Sequence, residues 1–240
     1  MDEKHLPAVR RALQATLQQA LREPDPARRQ LLTGLALSAL LPWSPGAIAA
    51  PAAVELEGVE LPETVTAYGQ KLVLNGAAVR KRGYFKADVT ALYLPEKRTT
   101  AEAVMKLNGI RRLQLNILRE FTSSTISRIF LADFKQAATD DEFKKLIEVI
   151  GQVGAAYSNV KRVVRGDTVN LDWVPGKGWM AAHNGKQLTG DGTGSMAINS
   201  ELAYQVYLRM YIGASAPDDL RNGLLGLTRL PRAGAGRDDD

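Results

Sequence analysis

Between Gly69 and Lys97 the chain alternates apolar and polar residues, through Lys71 to Leu74 and again through Tyr84 to Leu94. No other stretch restricts the fold as much. A period of two sends successive side chains to opposite faces, which suits a strand and not a helix. Gly-containing breaks, at Asn75-Gly76 and at Gly83, punctuate the stretch and predict neighbouring antiparallel strands. Arg80, Lys81 and Arg82 lie beside Gly83, where two such strands meet. A guanidinium there can grip a carboxylate or enolate oxygen with two N–H groups, so the cluster is a candidate anion site.

Other patterns extend the reading. Val54–Val59, Thr64–Ala67 and Arg111–Leu118 read as strands, and Thr100–Leu107 as a short helix. Ile126, Ile129, Phe130, Phe134 and Ala137 share one helical face, predicting a helix over Thr122–Ala137. Thr139 and Glu142 form a capping box that opens a second helix, with Phe143, Leu146, Ile147, Ile150, Val153 and Tyr157 inward. Gly151 and Gly154 on that helix either permit close packing or simply weaken its end. Val169, Leu171 and Trp173 alternate with polar residues, and Asn184-Gly185 has the chemistry of a tight hairpin turn. A helix is expected from about Ser195, with Ile198, Leu202, Val206 and Met210 aligned and Gly213 as its cap, then a short helix over Pro217–Leu225. Strands, two helices, strands, then helices predict an α+β fold: a large antiparallel sheet with a layer of helices on one face.

Four segments in order resemble the chalcone isomerase-like family: LNGAAVRKR, FKADVTALYLPE, RLQLNILREFTSSTISRIFLADF and ELAYQVYLRMYIGASAPDDLRNGLLG. The resemblance spans Val54 to Gly226 and implies the open-faced sandwich of that family. It places Arg80 at the position of the family's cleft arginine, which in the plant isomerases stabilises oxyanion charge and in the fatty-acid-binding relatives holds a carboxylate. Asp88 then falls where the family has a threonine or tyrosine. Ile126 falls at the catalytic tyrosine, Asp133 at a polar amide, and Met210 at a hydroxyl residue of the last helix. Ile126 and Met210 cannot donate a hydrogen bond, and each lost donor to developing charge costs on the order of 100-fold in rate. These five residues are therefore expected to line a ligand cleft and not a catalytic centre.

Asp88 has two readings. Facing Arg80, it would occupy the guanidinium and favour a neutral or cationic apolar ligand. Strand alternation favours the other, with Asp88 outward beside Lys86, Tyr84 and Thr90.

The first fifty residues read as an address. Arg28-Arg29 precede an apolar run over Leu31–Leu41, followed by Ala47-Ile48-Ala49-Ala50, the order of an export signal cleaved near Ala49 or Ala50. The paired arginines resemble a twin-arginine signal, though Ala27 stands where Ser or Thr is usual. The run is too short for a comfortable bilayer span, which takes about 20 residues. An uncleaved anchor, or a start placed too far upstream, is the alternative. The expectation is a periplasmic domain over residues 51–227 with a disordered polar tail over 228–240. The chain has no cysteine, only His5 and His183, and a net charge of +5 without a basic block. That composition argues against disulfides, thiolate chemistry and a transition-metal site, and against a nucleic-acid partner. No cofactor is expected. Gly190–Gly194 lacks the Gly-Lys-Ser/Thr ending of a phosphate loop, and His183 reads as an exposed strand-end residue.

Three functions follow: a non-catalytic binder of a small apolar or carboxylate ligand such as a fatty acid; an isomerase closing an enone intramolecularly; or an envelope protein acting through surface contacts over a dry cleft.

Overall fold

The structure, a computed structural model, describes residues 53–189 and 197–232. The expected export segment, the Gly190–Gly194 loop and the tail beyond Arg232 lie outside them. Among the described residues the chain forms β1 (Ala53–Leu56), β2 (Val59–Pro62), β3 (Thr64–Ala67), β4 (Gln70–Arg82), β5 (Phe85–Leu94), α1 (Ala101–Met105) and β6 (Arg111–Ile117). Next come β7 (Phe121–Thr122), α2 (Ser123–Ala137), α3 (Asp140–Lys145), α4 (Ile147–Ser158) and β8 (Arg162–Val163). Finally come β9 (Thr168–Val174), β10 (Gly178–His183), β11 (Lys186–Gln187), β12 (Ala197–Ile198), α5 (Glu201–Ile212) and α6 (Asp218–Leu224).

One antiparallel sheet in the order β11-β10-β9-β6-β5-β4-β3, with β12 beside β10, carries the fold. The helices pack on one face, over a core that includes Leu92, Leu113, Leu171, Phe134, Tyr204 and Leu208. On the other face Leu72, Tyr93, Val174 and Met180 are covered in part by Val54 and Leu61 of a separate β1–β2 hairpin. The Val54–Val59 stretch is thus two strands reversed at Glu57-Gly58 (both with positive φ), not one. Arg232 bridges to Val54, and Pro231 accepts a hydrogen bond from the Glu55 N–H, so the chain after residue 227 is held against β1 as far as it is described.

Asn75-Gly76 does not end a strand. It is a bulge within β4, where the register shifts between Leu74 and Gly76. Buried Asn75 donates to the Leu224 carbonyl at 2.7 Å and accepts from the Arg98 N–H at 2.6 Å, tying α6 and the β5–α1 connection to the sheet. A Cβ on Gly76 would stand 2.1 Å from the Gly223 carbonyl oxygen, so α6 lies directly on the β4 backbone. The reversal comes at Gly83, with φ of 59°.

The capping box at Thr139 and Glu142 forms in full, but the helix it opens breaks at Leu146 into α3 and α4, leaving Ile147 59% exposed, not inward. A Cβ on Gly151 or Gly154 would meet nothing within 4 Å, so neither glycine serves close packing. The last long helix starts at Glu201 behind a Ser200 cap, and Ile198 belongs to β12. Its buried residues are Ala203, Tyr204, Val206, Tyr207, Leu208, Tyr211 and Ile212, so the inward face is not the one through Leu202 and Met210.

Candidate functional site

A slot opens between the sheet and the helix layer. Its floor is Leu115 and Ile117 of β6 with Val169 and Leu171 of β9, and its roof is Ile126, Ile129 and Phe130 of α2 with Tyr157 of α4. Tyr207, Met210 and Tyr211 of α5 and Arg80, Arg82, Ala87 and Asp88 of the β4–β5 hairpin complete its walls. The cavity is about 80 Å³, as volume open to the centre of a water molecule. A single water needs roughly 10–15 Å³ so measured, so the slot holds about five to eight waters, or a small ring or short aliphatic chain.

Arg80, Asp88 and Ile117 pair along one row across β4, β5 and β6, on the helix-facing side. Asp88 is fully buried and receives Arg80 Nε at 2.7 Å and Arg80 Nη2 at 2.7 Å on the same oxygen, Oδ2. Its other oxygen accepts from the Thr90 hydroxyl at 2.6 Å. Simple alternation fails here because the register slips between Arg80 and Lys81, leaving Ala87 unpaired opposite them. A bulge resets which face the following residues take. Lys86 is therefore exposed while Asp88 and Ala87 are buried.

The remaining nitrogen, Arg80 Nη1, donates to the Tyr211 hydroxyl at 3.3 Å, and the Tyr211 and Tyr207 hydroxyls stand 3.0 Å apart. The family resemblance placed no hydroxyl beside Arg80. Among those that the structure brings into its neighbourhood are one on Asp88 and two on α5. They come from Thr90, one alternation beyond Asp88, and from Tyr207 and Tyr211, a helical turn apart. The buried Tyr204 sets their rotation: its hydroxyl donates to the Arg111 carbonyl at 2.6 Å and pins α5 to β6. Residues 204, 207 and 211 then share a stripe, a spacing readable in the sequence once the helix start is known.

Burial alone would lower the Arg80 pKa, but the adjoining Asp88 carboxylate outweighs it and leaves the guanidinium above its ordinary value, always charged. Burial pushes the Tyr207 and Tyr211 phenols up, Tyr207 well above its usual range. Both are neutral donors at physiological pH. The polar corner is thus a cation already paired, backed by two hydroxyls.

Four of the five residues singled out from the sequence, Arg80, Asp88, Ile126 and Met210, line the slot. Asp133 does not. It is paired with Arg82, whose Nη1 reaches Asp133 Oδ1 at 3.1 Å and whose Nη2 reaches Oδ2. Arg82 lines both the slot and an outer groove with Asp133 and Gln136, so this pair stands at the slot's rim. His183 is not a free strand-end residue. It is 24% exposed, lines the slot, and meets Asp167 Oδ2 at 2.8 Å. Asp167 also accepts from Asn184 and from the Val164 N–H, so the cluster fixes the β10–β11 turn. Tyr207 lines the slot with Phe130, Tyr157 and Tyr211, whereas Trp173 and Trp179 pack on Tyr204 in the core. No group of three or more His, Cys, Asp or Glu able to hold a metal occurs among the described residues, nor does a helix long and apolar enough to cross a membrane.

No curated protein matches this chain by sequence. A solved structure of a fatty-acid binding protein from Arabidopsis thaliana superposes with a TM-score of 0.59 at 15% identity, covering 73% of this chain and 96% of the other. At that identity the likeness is one of fold, and it fits the sheet with a single helix layer described above. The profile of chalcone isomerase-like proteins matches residues 53–226, which include every strand of the main sheet and every helix around the slot. This chain belongs to the chalcone isomerase-like family.

Proposed function

We propose that the protein is an exported, non-catalytic binder of a small apolar ligand, held in the slot with its polar head at Arg80 and Tyr211. The observation that carries the reading is an apolar slot in which the guanidinium of Arg80 is already filled by a buried carboxylate. Sharing a fold with a fatty-acid binding protein supports an apolar ligand. The Arg80–Asp88 pair selects against a bare carboxylate head. A ligand anion about 5 Å from both charges would gain from Arg80 and lose to Asp88 equally, roughly 3 kcal/mol each at an effective dielectric of 20. Its desolvation, several kcal/mol, then goes uncompensated. A ketone, alcohol or ester head loses far less water and can accept from Arg80 Nη1 and the Tyr211 hydroxyl. The preferred cargo is therefore a neutral relative of a fatty acid.

Native mass spectrometry of protein taken from cells, with titrations of octanol, 2-octanone and octanoate, tests this. A co-purifying neutral apolar molecule, and octanoate as the weakest of the three, are the expected results. Bare protein that binds none of them would refute the reading and leave the surface-contact alternative. The hydroxyls around Arg80 favour a second reading, an isomerase closing an enone. Cyclisation of a chalcone above background, lost in Arg80→Ala, would establish that instead.

A further inference from the structure

At the turn between β4 and β5 two aromatic rings stand out from the end of the sheet at which the slot has its Arg82 rim. Tyr84 is fully exposed and Phe85 is 55% exposed. Cations surround them. Lys81, Arg82 and Lys86 flank the turn, and the Arg119 guanidinium lies 3.8 Å over the Phe85 ring. Lys161 and Arg165 belong to the same end. Their segment is tied to it by β8 pairing with β7, and by the Gly166 N–H donating to the Ile117 carbonyl at 2.9 Å. Arg165 also borders a groove with Glu57, the residue that pairs with Lys86 at 2.6 Å. Lys81, Arg82 and Lys86 have acidic partners in Asp219, Asp133 and Glu57. Arg119, Lys161 and Arg165 form no ion pair among the described residues.

We propose that this end of the molecule docks on an anionic lipid surface, with Tyr84 and Phe85 entering the headgroup layer and the unpaired cations facing lipid phosphates. The amphipathic Tyr84 ring beside an apolar phenyl ring, flanked by cations, suits the boundary between water and lipid. Size argues against a protein partner. Two rings offer roughly 300–500 Å², whereas a stable protein interface needs about 800 Å² on each side. Position supplies the purpose: Arg82 and Phe121 line the slot at this end, so docking sets its rim against the layer in which an apolar ligand dissolves. The purpose rests on the apolar-ligand reading; the geometry of the docking surface does not.

Vesicle flotation of the full chain tests it, with phosphatidylcholine vesicles lacking or containing phosphatidylglycerol. Each cation near an anionic surface strengthens partitioning about fivefold, so the three unpaired ones predict about 100-fold preference for the anionic vesicles. About 1 M NaCl, where charges are screened within ~3 Å, should abolish that preference. Tyr84→Ser with Phe85→Ser should weaken partitioning at least about tenfold. Tyr84→Ser alone, which alters a ring wholly in solvent, guards against a folding defect and should move it in the same direction. The leader is identical in all these chains, so the difference between them belongs to the turn. Equal partitioning of parent and variants, or no preference for anionic lipid, overturns the proposal. So does concentration-dependent self-association through Tyr84 and Phe85 without vesicle binding. Uptake of Nile red from solution reports the slot independently: uptake without docking refutes this inference alone, and docking without uptake refutes the ligand reading alone.

Discussion

Asp88→Asn separates the two roles given to the buried carboxylate. The substitution keeps the shape and removes the charge. Asp88 now accepts two N–H groups from Arg80 and one hydroxyl from Thr90, with no exposure to water. An asparagine can turn its oxygen to Arg80 and its amide to the Thr90 oxygen, since a hydroxyl also accepts. Each nitrogen and oxygen then keeps one partner, though the second amide N–H and the Thr90 proton lose theirs, and the loss, chiefly the difference between charge-assisted and neutral bonds, is about 2 kcal/mol in all. That is below the about 3–5 kcal/mol expected when a buried charge is left alone. For a domain of this size the melting temperature should fall by about 4–8 °C, read by circular dichroism or urea titration. Binding should move the other way for anions. Relieving roughly 3 kcal/mol of repulsion should tighten octanoate about 100-fold, while octanol changes less than about threefold. Isothermal titration of both ligands on both proteins checks this. If octanoate binds Asp88→Asn no better than the parent, Asp88 is not what excludes an anion and the neutral-ligand argument fails.

Two further predictions concern the frame around the slot. Gly76→Ala drives a methyl into the Gly223 carbonyl and should cost about 3 kcal/mol, whereas Gly151→Ala, on an open helical face, should stabilise by about 0.5–1 kcal/mol; paired urea melts decide, and equal effects would refute the close α6–β4 contact. Because burial raises the Tyr207 and Tyr211 pKa values in the folded state, their contribution is complete below pH ~10 and is lost as pH climbs beyond it. Absorbance at alkaline pH should therefore show these phenolates emerging together with the loss of far-UV dichroism; early, independent ionisation would mean the slot is open to water.

Local patterns carried most of the fold. The Thr139 capping box and the Asn184-Gly185 turn each depend on neighbours within a few residues, and each stands in the structure as read, while the alternation in Tyr84–Leu94 marked a strand without giving its faces. Errors arose where one residue changed the phase. Ala87 is an extra residue in a ladder, and nothing in FKADVTALYL marks it. Leu146 breaks a helix whose apolar period continues through it. Asn75-Gly76 has turn chemistry but serves as a bulge, where α6 lies so close that Gly76 has no room for a Cβ.

The candidate site divides in the same way. Which residue types could meet an oxyanion or a carboxylate was legible in RKR beside Gly83, since charge is a property of the residue itself. Whether Asp88 disarms that cation was not, because it depends on register between strands, and one inserted residue reverses a face. Tyr207 and Tyr211 were legible as helix residues, yet their aim was set by Tyr204 reaching across to a carbonyl on β6. Sequence alone determined most of the strands and helices and the chemical alphabet of the cleft. Only the tertiary structure decided which letters touch, because contacts between distant segments depend on bulges and helix rotations that local periodicity does not encode.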